Sequence, residues 1–162
     1  MRRNDRAQSL EFSLALIDRC THGVVAFASE DAPYCIPLSL IRIDNALYFH
    51  CAREGKKLEL LRKNNQVCVT FVGNDSPAFV ADKQYYTTYF ESVLVNGRAF
   101  EVTSSEEKIL ALRRLCEVRT PDGMTGDHFD HAVAASLSRV VVFRIDMDEI
   151  TGKAKFKPNN NP

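Results

Sequence analysis

The sequence predicts an antiparallel β-barrel with helices packed on its flanks, a mainly β fold of the α+β kind. Three observations predict it. Short β-branched and aromatic runs recur along the early chain, and the turns between them are too short for parallel crossovers. A longer strand candidate at 92–102 carries Gly97 in its interior, the mark of a bulge or bend that lets a sheet curl. Helix-period segments fall at the start and late in the chain, so they flank the sheet instead of alternating with its strands. Closing such a sheet into a small barrel removes its exposed edges.

The elements follow in order. A polar arm leads into a helix over 9–20, with Leu10, Leu14 and Ile17 on one face, ended by Thr21, His22 and Gly23. Residues 24–28 read as a buried strand, followed by the turn Glu30-Asp31-Ala32-Pro33. The next strand, 34–43, holds Pro37, which removes a ladder donor and so implies an edge, a bulge or a backbone facing a ligand. Asp44-Asn45 is a hairpin turn, and 46–51 is the returning strand. A short helix at 58–63 and a strand at 67–72 come next, then a loop over 73–83. The aromatic segment 84–90 enters the long strand 92–102. Ser104 and Glu107 form a capping box for a helix whose buried stripe is Ile109, Leu112 and Leu115. A break over 120–126, a helix at 127–136, a strand at 140–147 and a polar, frayed tail complete the chain. No repeat or linker divides it, so 1–162 reads as one domain with loose ends at 1–8 and 153–162.

Composition excludes several classes of function. With 21 basic and 21 acidic residues, no global field recruits nucleic acid or an anionic membrane, so any anion site is local. The apolar runs are too short to span a bilayer, and the basic start lacks the apolar core of a secretion signal. Five scattered cysteines without a CxxC pair suit reduced thiols in the cytoplasm better than disulfides or a zinc site. His128 and His131 stand one helical turn apart without a third ligand, which reads as a solvated face.

One stretch carries chemistry. In YFHCAREGKK, residues 48–57, an apolar strand end delivers His50 and Cys51 to a basic turn. There Gly55 lets the backbone approach a ligand, Lys56 and Lys57 supply charge, and the helix behind adds free N–H groups. That is a seat for a phosphate. Cys51 has no His/Asp partner set and reads as a small buried hydrophobe.

The chain resembles the FMN-binding split-barrel proteins related to pyridoxamine 5′-phosphate oxidase, and among them the nitroimidazole-resistance type of flavoprotein. The resemblance is carried by HGVVAFASEDAPYCIPLS, ALYFHCAREGKKLELLRKNNQVCVTFVG, YYTTYFESVLVNGRAFEVTSSEEK and the ITGKAKF tail. It implies an antiparallel split β-barrel that binds FMN. It also implies that Ile36, Pro37, Leu38 and Ser39 line the flavin ring, that His50 and Cys51 touch the flavin, and that Lys56 and Lys57 hold its phosphate. Thr87, Thr88 and Ser92 correspond to the segment that approaches from a second subunit, which implies a homodimer with two interfacial sites. The oxidase's C-terminal Arg-x-His arrangement is missing from KFKPNNNP, which speaks against oxidation of vitamin B6.

These implications define an FMN-dependent oxidoreductase, with a small-molecule electron donor and a small acceptor such as a nitro-aromatic or quinone. His50 is its proton-moving side chain, and Ser39 or Ser92 donates to the reduced flavin. A non-catalytic module that stores or senses flavin would use the same pocket. A haem held by His22 and His50 is a third reading.

Overall fold

Ser9 opens the first helix by accepting a hydrogen bond from the Phe12 amide at 3.1 Å. The structure, a computed structural model, describes residues 3–30, 32–119 and 126–158. Two residues pair as strand β1 (Ala7–Gln8) before helix α1 (Leu10–Arg19) begins. The helix buries Ser13, Leu16 and Ile17, while Leu10, expected on one face with Leu14 and Ile17, is 59% exposed. The rotation follows from a close approach: α1 lies against the last strand where a Cβ on Gly152 would strike the Ser13 hydroxyl.

Strands β2 (Gly23–Phe27), β3 (Tyr34–Leu38), β4 (Ile41–Ile43) and β5 (Ala46–Ala52) precede the short helix α2 (Lys56–Lys63). A long hairpin follows, of β6 (Gln66–Val80) and β7 (Tyr85–Glu101). Helices α3 (Ser105–Arg119) and α4 (Gly126–Ser136) and the final strand β8 (Val140–Lys155) close the chain. All pairings are antiparallel, in the order β3-β2-β6-β7-β8-β5-β4, with β1 added to β8.

Where the expected strand 34–43 would run on, the chain breaks at Ser39 and Leu40 into β3 and β4, the two edges of the sheet. Only two residues join one edge to the other. The sheet therefore has to curl until its edges approach, yet no ladder joins them, which is the split of a split barrel. Pro37 sits on the edge strand β3, where a missing donor is tolerated.

Three other expectations change. The loop over 73–83 is strand up to Val80, because Asp75–Val80 pairs residue by residue with Tyr85–Phe90 beyond a bulge after Val72. A run containing Asn74, Asp75 and Pro77 has weak strand propensity, but partner strand β7 supplies the ladder, and the Phe79 and Tyr86 rings meet at 4.8 Å. Residues 153–155 and 7–8, expected to be loose ends, are instead paired, because β8 continues to Lys155 between β7 and β1. In α3 the buried set is Ala111, Leu112 and Leu115, with Ile109 turned to solvent. The expected break over 120–126 falls almost wholly outside the described residues, while Gly126 already begins α4.

Two apolar layers result. The inner face of the sheet packs Leu47, Phe49, Val69, Phe71, Val93, Val95 and Ile145 against Leu16 and Ile17 of α1, with Phe49 and Phe143 stacked at 5.3 Å. On the outer face, α3 and α4 cover only the β4-β5-β8 end, burying Ile41, Tyr48 and Val142 under Ala111, Leu112, Leu115 and Val133. The outer face of β2, β6 and β7 has no cover among the described residues, and Val24, Val72 and Leu94 lie exposed there.

Candidate functional site

The site is built where β5 runs out into α2. Along β5 the side chains alternate across the sheet, so His50 points outward and Cys51 inward. His50 meets no hydrogen-bonding partner among the described residues, and partial burial pushes its pKa below the ordinary histidine value. It is therefore a neutral imidazole near pH 7, able to accept or donate a proton. Cys51 lies in the inner core, where burial raises its thiol pKa against the opposing pull of Lys57. Its side chain cannot serve as an outward contact.

After Ala52 the chain turns through Gly55, whose φ of 121° is a conformation that side chains rarely adopt. Nothing stands within 4 Å of the position a Cβ would take, so the backbone faces open space. Gly55 caps the start of α2, and its carbonyl accepts from Leu58 and Glu59 at 3.0 and 3.3 Å. The amides of the first turn are left to point outward, as they do at any helix start. Lys56 and Lys57 stand beside those amides, and neither is in an ion pair among the described residues. Arg53, in contrast, is tied to the Ser138 carbonyl at 2.9 Å. The Lys56 ammonium lies 4.9 Å from the centre of the Tyr34 ring, which brings the start of α2 against the start of β3. Tyr34 was not among the expected site residues; an aromatic residue opening the strand that holds Pro37 was the available signal.

On β3 the faces divide the expected set. Pro37 is exposed on the outer side, and Ser39, just beyond the strand, is exposed as well. Ile36 and Leu38 turn inward and pack on the core, so they could meet a ligand only through backbone atoms on the sheet edge. Thus Ser39 and His50 line one cleft, Lys56 lies against Tyr34 at the start of β3, Pro37 is exposed on that strand's outer side, and Ile36, Leu38 and Cys51 pack on the inner core.

Thr87, Thr88 and Ser92 are not brought to it. The row through His50 passes Val142 and ends at Val102, the residue after β7, whose amide bonds the Val142 carbonyl. Ser92 lies ten residues back along the chain in β7, about 30 Å of extended strand at the usual rise. Thr88 is exposed, the Thr87 hydroxyl receives the Lys155 ammonium, and the Ser92 hydroxyl donates to the Lys153 carbonyl at 3.4 Å. His22, the other candidate haem ligand, is exposed and adjoins the Thr21 hydroxyl at 3.0 Å. His128 and His131 are exposed on α4, and no cluster of metal-binding side chains exists among the described residues.

The helices that wall the outer side are held by a polar network. The Tyr48 hydroxyl donates to Glu107 at 3.0 Å, and burial together with that carboxylate pushes the Tyr48 pKa up to about 12. Arg144 reaches Glu107 at 3.3 Å and Asp146 at 2.8 Å.

Among solved structures, the chain is similar to a candidate 5-nitroimidazole antibiotic resistance protein from Bacteroides thetaiotaomicron VPI-5482. The TM-score is 0.75 and the identity 26%, over 91% of this chain and 84% of that one. It shares its fold with a flavocytochrome of Azotobacter vinelandii, with TM-score 0.74 and 18% identity over 98% of this chain and 73% of that one. A FAD-binding protein of Mesorhizobium loti has the same fold, with TM-score 0.67 and 24% identity over 94% and 97% of the two chains. No curated protein matches the sequence. No helix among the described residues is long and apolar enough to cross a membrane. Residues 10–154 match the family model for pyridoxamine 5′-phosphate oxidase, and with the split barrel in place the chain belongs to that family.

Proposed function

We propose that the protein binds FMN in the split between β3 and the start of α2, and that it is an oxidoreductase passing electrons to a small acceptor. One observation carries the reading. Lys56 and Lys57 have no acidic partner among the described residues, and they flank an open glycine turn at a helix start, beside an edge strand that offers backbone to a flat ring. The residues present fit the group. Lys56, Lys57 and the first amides of α2 would hold a phosphate, and Pro37 with the backbone of β3 would lie along the ring.

Bound flavin supplies hydride and electron transfer, and this chain supplies the rest. His50, neutral near pH 7 and unpartnered among the described residues, holds or moves a proton at an imidazole nitrogen. Ser39 offers a hydroxyl at the same opening. The inward side chains of Ile36, Leu38 and Cys51 keep water out from behind.

The working unit in this proposal is a homodimer. Thr87, Thr88 and Ser92 stand too far from His50 to serve the same site within one chain, so a second copy would bring them. The exposed Val24, Val72 and Leu94 on the uncovered face give that copy an apolar surface to cover. A cytoplasmic location suits the five cysteines, none of which forms a disulfide.

The test is the visible spectrum of the protein saturated with FMN and desalted, followed by turnover with a nicotinamide donor and a series of acceptors. Retained flavin bands with turnover support the oxidoreductase. Retained flavin without turnover leaves a storage or sensing module, and a colourless protein removes the flavin reading altogether.

A further inference from the structure

On the outer side of the sheet, α3 and α4 do not close completely over the end of β5. Between them opens a cleft of about 280 Å³. Leu112 and Leu115 of α3 form one wall, Ala132 and Val133 of α4 form another, and Ser39 and His50, both exposed, line its open side. None of its lining residues is an acid, a lysine or an arginine. The nearby arginines of α3 are engaged elsewhere, Arg113 with Glu117 and Asp130, and Arg114 with Glu117.

These features set the chemistry of an occupant. Apolar walls reward an apolar body. A cavity of about 150 Å³ already accepts benzene, so this cleft has room for one substituted aromatic ring. At the mouth, the imidazole of His50 and the hydroxyl of Ser39 have no hydrogen-bond partner among the described residues, which gives two polar groups to meet one polar substituent. A carboxylate or phosphate would lose its hydration there and gain no counter-charge.

We propose that this cleft binds an uncharged, mainly apolar molecule the size of one substituted aromatic ring, seated between α3 and α4 and hydrogen-bonded at the mouth by His50 and Ser39. Binding there does not depend on the flavin reading, because none of the walls comes from the basic turn. Service as the electron acceptor does rest on that reading, through the two residues that the cleft shares with the flavin-facing set.

Benzamide and benzoate make the test, since they have the same size and differ in charge. Each is titrated into the full protein at pH 7.5, with and without added FMN, and followed by NMR shifts. The expected result is saturable binding of benzamide and binding of benzoate at least about tenfold weaker, the penalty for an unpaired buried charge. Ala132 is exposed on α4, so Ala132→Phe fills the cleft from a position that tolerates bulk. It should abolish benzamide binding and leave FMN retention as in the unaltered protein. Equal affinity for the two probes, benzamide binding indifferent to Ala132→Phe, or no saturable benzamide binding would each overturn the proposal. Benzamide binding in a protein that retains no FMN would leave the cleft standing and remove the flavin reading.

Discussion

At the scale of single residues, the proposed site rests on three side chains and one glycine. Lys56 and Lys57 together to Ala should weaken FMN by about 2–4 kcal/mol, taking each charge-assisted contact at about 1.5–3 kcal/mol without full additivity. Calorimetric titration reads this directly, and unchanged affinity would return the turn to solvated surface. Gly55→Ala isolates the backbone, because a Cβ there meets open space and the only cost is the φ of 121°. Stability should fall by about 1–3 kcal/mol in urea unfolding. His50 carries a pH signature. Its folded pKa lies below the unfolded one, so the unfolded chain binds more protons as pH falls below the ordinary histidine value. That contribution to stability is level above the unfolded pKa and is lost as pH falls through the folded one. Thermal melts of His50→Gln should show a shallower decline between pH 7 and 5.5 than the unaltered protein, with a modest difference because the ring is half in solvent. These residues were visible in the sequence because a basic glycine turn after an apolar run is a local pattern. Tyr34 was not visible, because its role is a contact with Lys56 across elements that only folding brings together.

At the scale of elements, alternation and capping were legible, and partnership was not. Half of the expected capping box at Ser104 and Glu107 forms, with the Glu107 amide on the Ser104 hydroxyl at 3.3 Å. Its carboxylate is spent differently, on Tyr48 and Arg144, and so it pins α3 to the sheet. Gly97 also does what a glycine inside a long strand suggests: the β7–β8 register shifts there, and a Cβ would run into the Asp146 carbonyl. Gly97→Ala should therefore destabilise by about 1–3 kcal/mol, measured by chemical denaturation, since backbone rather than a flexible side chain has to yield. By contrast, the arm at 75–80 and the continuation of β8 past Met147 looked like loop and tail. Their strand state comes from cross-strand neighbours, which no local window contains.

At the scale of the whole molecule, the two ends of the sheet are covered unequally. Helices protect the β4-β5-β8 end, and the β2-β6-β7 face keeps Val72 at 61% exposure and Leu94 at 40%. If a second copy covers that face, Leu94→Lys should halve the mass seen by sedimentation and reduce flavin retention together, because the partner's Thr87, Thr88 and Ser92 are lost from the site. A monomer that still retains flavin would show the site to be complete in one chain. What the sequence by itself determined was the class of fold, the order of the elements, the basic turn and a histidine at the end of a strand, all of them set by periodicity and residue type within a few positions. Tertiary structure alone decided that 34–43 splits into two sheet edges, that Ile36, Leu38 and Cys51 face inward, and that α3 and α4 leave a neutral cleft beside His50. Each of these depends on how a sheet curls and what packs on each face, a property of strands far apart in the chain.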